Sequence, residues 1–188
     1  MPRNYQHCQV STWVESVMKL FTTRNFAIKD AEGRPMGYAR SVWAMIDTET
    51  RRPCDLVTLY DGDLLNYVVS DEENVCPIEG HGRFRFRDAQ LVRTLTTCYS
   101  DIDINGHVNS IKYIEHILNL FSRQQMERGI KRFEIAYKAE SYMGDTLSFY
   151  VQPVDDNEID VEVRKNISED SNGDVVCQAK VRFNVSDE

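Results

Sequence analysis

Residues 101–114, with the sequence DIDINGHVNSIKYI, decide the fold because their hydrophobic pattern changes within this one stretch. Polar and apolar residues alternate at first, as in an extended chain. Apolar residues then recur at every third or fourth position, as on one face of a helix. The pattern predicts one long helix over residues 108–127. Asp103 or Asn105 is the expected N-cap, and Gly129 is expected to stop the helix.

Segments rich in β-branched and aromatic residues flank this helix and predict strands. The predicted strands cover residues 91–99, 133–142, 146–154, 158–167 and 175–185. Residues 155–157 and 170–174 have the Asp, Asn and Gly content of hairpin turns. A curved antiparallel sheet wrapped around one helix buries the helix's apolar stripe, so residues 91–188 are predicted to form an α+β domain.

Residues 1–69 predict a smaller unit that lacks such a helix. Strands are expected from residue 8, at 25–29 and at 37–47, with a short helix near 62–69. This unit and the C-terminal domain both end in a strand, a charged turn that contains Gly, and a final strand. The shared ending indicates a weak internal repeat. The smaller unit is therefore predicted to be an incomplete copy. The acidic, Gly- and Pro-containing residues 70–90 are predicted to be a linker.

Composition excludes several classes of protein. The net charge of −8 argues against nucleic acid as a partner. No apolar run reaches the roughly 18 residues of a membrane span, and the N-terminus lacks the apolar core of a signal peptide, so the cytoplasm is the expected location. The five cysteines include no C-x-x-C pair, so neither a disulfide framework nor a zinc site is expected.

The positive charges are clustered even though the chain is acidic. The clusters are Arg83, Arg85, Arg87 and Arg93; Arg51 and Arg52; and Lys131 and Arg132. One interpretation is a set of solvated strand faces and loop edges. The other is that Arg83, Arg85 and Arg87 form a patch that docks an acidic partner.

The polar residues before the predicted helix are candidates for catalysis. Asp103, Asn105 and His107 fall within five positions, which is more than one helix start needs for capping. Backbone N–H groups near Gly106 and Val108 are expected to hold an oxyanion, because N–H groups at a helix N-terminus lack intrahelical acceptors. Gly106 is expected to let a substrate carbonyl approach. A histidine beside carboxylates suits general acid–base work.

These residues resemble the signature of the acyl-ACP thioesterase family. Residues 103–114 match its typical D-x-N-x-H-V-N-N-x-K-Y, residues 40–46 and 50–53 match its first-domain segment, and residues 133–147 match a third region. The resemblance covers most of the chain. It implies tandem hot-dog domains, with the catalytic residues in the C-terminal one and the acyl pocket largely in the N-terminal one.

The resemblance also implies the site residues. Asp103, Asn105 and His107 match the family's active-site trio, and Glu140 matches the catalytic glutamate on the strand after the helix. Ser141 stands where plant members have a cysteine, so a cysteine-nucleophile mechanism cannot be transferred. Cys98 has no motif behind it and is expected to pack in a buried strand.

The resulting hypothesis is hydrolysis of fatty acyl-ACP, with release of the free fatty acid. Glu140 and His107 activate a water, Asn105 orients that water or the carbonyl, and Asp103 fixes His107 or the local turn. No metal or cofactor is expected, and the partner is an acyl carrier protein with a fatty acyl-phosphopantetheine. An acyl-CoA thioesterase and a non-catalytic acyl-binding module are the alternatives. An exposed sheet edge would favour a homodimer.

Overall fold

The computed structural model describes residues 4–50, 52–70, 72, 74–80, 82–165, 167–168 and 171–185. Arg51, the linker positions 71, 73 and 81, and Asp170 of the predicted turn lie outside the described residues. The chain divides into two compact units, Met1–Gly80 and His81–Glu188. Among the described residues, no helix is both long enough and apolar enough to cross a bilayer.

Unit 1 contains an antiparallel three-stranded sheet. Its strands are β1 (Cys8–Val17), β2 (Thr22–Asp30) and β3 (Pro35–Trp43), in the order β1-β2-β3. The predicted extension of β3 to residue 47 is wrong, because the chain turns at Asp47, whose carboxylate accepts the N–H groups of Glu49 and Thr50. The short helix predicted near 62–69 is a 3₁₀ helix at Leu59–Tyr67.

Unit 2 contains a five-stranded antiparallel sheet in the order β4-β6-β7-β8-β5. Its strands are β4 (Gln90–Thr96), β5 (Ile130–Tyr137), β6 (Thr146–Pro153), β7 (Glu158–Lys165) and β8 (Asp174–Phe183). Alternate residues of the central strands, such as Phe149 and Val161, are fully buried in the hydrophobic core that also contains Ile117 of the helical segment. The predicted α+β architecture is therefore confirmed.

The prediction of one long helix is wrong, since two short helices occupy that region. Helix α1 covers Ser110–Leu118, and α2 covers Arg123–Glu127. Asn109, and neither Asp103 nor Asn105, is the N-cap of α1, and its side chain accepts the N–H of Ile111 at 2.9 Å. Ser122 starts α2 through a reciprocal capping box with Gln125. The Ser122 cap satisfies backbone N–H groups that a continuous helix would have paired internally, whereas the Asn109 cap serves N–H groups that any helix start leaves unpaired.

Strand β5 is shorter than predicted, and this determines where Glu140 lies. The strand ends at Tyr137, whereas the sequence pattern predicts that it continues to residue 142. Lys138 and Ala139 still donate to the carbonyl of Val176 in β8, but beyond them the chain leaves that strand. The carbonyl of Ser141 then accepts the N–H of Val108 at 2.8 Å. Glu140 therefore belongs to a loop that runs beside the segment preceding α1.

The sheet face opposite α1 carries buried charges. Glu158, Asp160 and Glu162 alternate along β7 with core valines, and Lys180 of β8 contacts Glu158 at 2.8 Å and Asp160 at 2.7 Å. Burial alone would raise the pKa of Glu158, but hydrogen bonds from Lys180 and Arg182 outweigh it and hold that pKa below its ordinary value. Pairing within the sheet thus compensates the cost of burying these carboxylates.

Residues 82–88 cross this outer face of the sheet. The Gln152 side-chain oxygen accepts the N–H groups of Arg87 and Asp88 at 2.8 and 3.1 Å, and the N–H of Gly82 donates to Glu134. Phe84 and Phe86 are partly buried, whereas the arginines between and beside them are exposed. The segment predicted to be part of a linker is therefore attached to unit 2.

Candidate active site

The loop that carries His107 is held by Asp103. The Asp103 carboxylate accepts the N–H of Asn105 at 2.8 Å and that of His107 at 3.2 Å, and its own N–H donates to the carbonyl of His107 at 2.8 Å. Gly106 has a φ of +80°, which glycine adopts without strain. A Cβ at Gly106 would meet nothing within 4 Å, so the positive φ is what favours glycine here, and the expected approach of a substrate carbonyl stays a prediction.

Asp101 attaches the same loop to α1. It is buried, its carboxylate accepts the backbone N–H of Cys98 at 2.8 Å, and it pairs with His116 of α1 at 3.2 Å. Burial raises the pKa of Asp101, but hydrogen bonds, first of all from Cys98, lower it further than burial raises it. Cys98 itself is exposed and its thiol donates to Asp101, so its expected burial in a strand is wrong.

His107 and Glu140 meet at an open cavity of about 210 Å³. The Nε2 atom of His107 lies 3.6 Å from Oε2 of Glu140. The cavity is lined by Asp103, His107, Val108, Ser110, Tyr113, Tyr137, Ala139 and Glu140. The helix-side loop and the loop after β5 thus bring an imidazole and a carboxylate to one solvent-accessible opening.

The other predicted site groups are arranged differently. Asn105 is exposed and is not among the residues that line the cavity. The predicted oxyanion donors are occupied, since the N–H of Gly106 donates to Asp103 and that of Val108 to Ser141. Their role as oxyanion donors stays a prediction. Helix α1 begins at Ser110, whose backbone N–H has no acceptor among the described residues.

Two tyrosines that the sequence analysis did not single out line the cavity. The Tyr137 hydroxyl donates to the carbonyl of Ser110 at 2.9 Å, and burial raises the pKa of Tyr137 to about 12. Burial also raises the pKa of Tyr113, although neighbouring Ser141 acts in the opposite direction. Ser141 is 1% exposed and is absent from the cavity lining. Tyr113 could have been found from the sequence, because it lies within residues 103–114, which match the acyl-ACP thioesterase signature.

The arginine cluster lies elsewhere in unit 2. Arg83, Arg85 and Arg87 line a separate cavity of about 390 Å³, together with Gln152 and other residues of the outer face. Gln152 is near the end of β6 that is farther from the His107 cavity, and its side chain points away from the face that packs on α1. The structure therefore does not bring the arginines to the cavity that His107 lines.

Profiles of two protein domains match this sequence. The acyl-ACP thioesterase C-terminal domain matches residues 86–185, and the acyl-ACP thioesterase N-terminal domain matches residues 1–60. The first match alone covers more than half of the chain. The chain belongs to the acyl-ACP thioesterase family.

A solved structure of an acyl-ACP thioesterase supports this assignment, and a second one supports the fold. An acyl-ACP thioesterase from Bacteroides thetaiotaomicron is 52% identical with a TM-score of 0.86, and the match covers 98% of this chain and 71% of that one. The 12:0-ACP thioesterase of Umbellularia californica is 20% identical with a TM-score of 0.74, covering 94% and 67%, and supports the fold alone. The expected hot-dog fold is confirmed.

Curated relatives of the same family are longer than this chain. The chloroplastic palmitoyl-acyl carrier protein thioesterase of Arabidopsis thaliana is 32% identical over 137 residues. That match covers 70% of this chain and 33% of the relative. The chain thus spans about a third of the length of this acyl-ACP thioesterase.

Proposed function

We propose that this protein hydrolyses fatty acyl thioesters carried by an acyl carrier protein. The observation that carries the proposal is the approach of His107 Nε2 to Glu140 Oε2, 3.6 Å apart at the mouth of a cavity. Membership of the acyl-ACP thioesterase family supports the substrate class. A thioester needs no metal for activation, because its thiolate is a good leaving group.

The proposed reaction is a direct attack by water. Glu140, assisted by His107, accepts a proton from a water molecule while the water oxygen attacks the thioester carbonyl carbon. The tetrahedral intermediate then collapses, the carbon–sulfur bond breaks, and the departing thiolate takes up the proton. The products are a free fatty acid and the thiol of the carrier.

The oxyanion of the intermediate needs donors that are not already paired. The backbone N–H of Ser110 is such a donor, because it is the first N–H of α1 and lies in a residue that lines the cavity. Asp103 acts indirectly, since its carboxylate is engaged with backbone N–H groups of the loop. We assign no step to Asn105, whose side chain is exposed outside the lining.

The arginine cluster is proposed to attract the acidic carrier. Arg83, Arg85 and Arg87 are exposed, and their guanidinium groups pair with no carboxylate in the described part of the chain. Three unpaired positive charges on a chain of net charge −8 form a local positive field that raises the rate of encounter with an acidic protein. Because the cluster lines a cavity separate from the one at His107, we assign it to encounter and not to the chemical step.

Hydrolysis of acyl-ACP and acyl-CoA over a series of chain lengths tests the proposal. Wild-type protein is compared with Arg85→Glu and with Lys131→Glu, an exposed control that changes the net charge equally. Arg85→Glu is expected to raise KM for acyl-ACP, with a dependence on salt, and to leave acyl-CoA hydrolysis unchanged. Equal effects of both variants would refute the carrier patch, and acyl binding without turnover would favour the non-catalytic module.

A further inference from the structure

The loop between β5 and β6 presents Tyr142 beside both proposed catalytic groups. The Tyr142 hydroxyl donates to Oε2 of Glu140 at 3.2 Å, and this is the oxygen that lies 3.6 Å from His107 Nε2. The Tyr142 ring packs edge-to-face against the imidazole of His107, with the ring centroids 5.1 Å apart. One side chain therefore contacts the carboxylate and the imidazole together.

Lys165, at the end of β7, holds this loop from the other side. Its ammonium donates to the backbone carbonyl of Glu140 at 2.6 Å and lies 5.6 Å from the centre of the Tyr142 ring. Asp145 completes the arrangement, because its Oδ2 atom accepts the N–H of Tyr142 at 2.9 Å and lies 3.8 Å from the same ammonium. The Lys165 side chain is only 13% exposed, so this ammonium group is itself largely shielded from water.

Glu140 needs such support because no strand fixes it. Strand β5 ends at Tyr137, and the Glu140 side chain is 42% exposed. A glutamate in an exposed loop samples several rotamers, and only some of them direct the carboxylate towards His107. A hydrogen bond to Oε2 selects among these rotamers, and a contact to the backbone of the same residue fixes the base of the side chain.

We propose that Tyr142 and Lys165 are positioning residues for the catalytic carboxylate. This inference rests on the proposed function, in which Glu140 is the base. Tyr142 orients Oε2 towards His107 and stabilises the ionised carboxylate, whereas Lys165 holds the loop backbone and the Tyr142 ring. Neither residue exchanges a proton with the substrate.

The Tyr142→Phe variant removes the hydroxyl and keeps the ring contacts. It is expected to lower kcat about tenfold, as for loss of one hydrogen bond to a charged group, with little change in KM. The acidic limb of the pH–rate profile, which reports protonation of the base, is expected to move to higher pH because the ionised carboxylate loses a donor. Tyr99→Phe, at an exposed tyrosine outside the cavity lining, is the matched control.

The Lys165→Met variant is expected to have a lower kcat and a lower melting temperature than the wild type. The Lys165→Arg variant, which keeps the positive charge, is expected to have a kcat between those of Lys165→Met and the wild type. A wild-type kcat and pH profile for Tyr142→Phe would overturn the inference.

The double variant Tyr142→Phe/Glu140→Gln separates the two proposals. If Glu140→Gln alone lowers kcat strongly but leaves it measurable, loss of the hydroxyl should have no further effect in the double variant, and a multiplied loss would contradict positioning through Glu140. A fully active Glu140→Gln would instead refute the proposed base.

Discussion

Asp103 offers a direct way to separate a role in loop structure from a role in chemistry. Its carboxylate accepts two backbone N–H groups of the His107 loop, at 2.8 and 3.2 Å. Replacement by alanine removes both acceptors. Because the side chain is partly exposed, each bond contributes about 1 kcal/mol, which gives a loss of about 2 kcal/mol and a fall in melting temperature of about 4–8 °C for a chain of this size. A displacement of His107 by about 1 Å would lower kcat about 100-fold.

Asp103→Asn is the informative partner of this variant. An amide retains an oxygen that can accept the same two N–H groups but cannot act as a base. We therefore expect Asp103→Asn to keep most of kcat and of the melting temperature, whereas Asp103→Ala loses both. Steady-state hydrolysis of an acyl-ACP and thermal unfolding measure the two effects. An Asp103→Asn protein that melts like the wild type but is as inactive as Asp103→Ala would refute this reasoning.

Three further predictions concern stability. Lys180→Met leaves Asp160, which is 2% exposed, without its cation, and should lower the free energy of unfolding by roughly 3–5 kcal/mol in denaturant titrations. Lys131→Met should leave the free energy of unfolding almost unchanged. Equal losses in the two variants would contradict this prediction. The folded-state pKa of Glu158 lies below its ordinary value of 4.5, so its contribution is present above that pH and is lost as the pH falls through the folded pKa. Thermal unfolding should show this loss, and stability that is flat down to the acid limit would be inconsistent with it. Asn109→Ala removes the cap of α1 and should cost about 1 kcal/mol by the same titration; an unchanged midpoint would rule out capping.

The helical segment shows what periodicity reveals and what it misses. Apolar residues at helical spacing correctly predicted a helix after residue 108. The same spacing continues through Leu118 and Phe121, across the break between α1 and α2. The break depends on capping by Ser122, which competes with helix continuation, and a hydrophobic pattern does not register this competition.

The candidate site, like the helical segment, could be predicted only in part from the sequence. The family resemblance brought His107 and Glu140 into one hypothesis, and the structure places both at one cavity. The sequence pattern did not show that Asn109, and neither Asp103 nor Asn105, caps α1, so the first unpaired N–H of the helix is at Ser110. The position of Glu140 in a loop depends on a backbone hydrogen bond between distant segments, and no local pattern contains that information.

The most direct test of the account is the kcat of His107→Ala, Glu140→Gln and the double variant, measured with a saturating acyl-ACP on protein whose folding is verified by thermal unfolding. If the two groups activate one water together, each single variant should lose on the order of 10²–10⁴ in kcat. The double variant should then lose little more than the worse single one. Folded single variants that retain wild-type kcat, or losses that multiply in the double variant, would contradict a shared site.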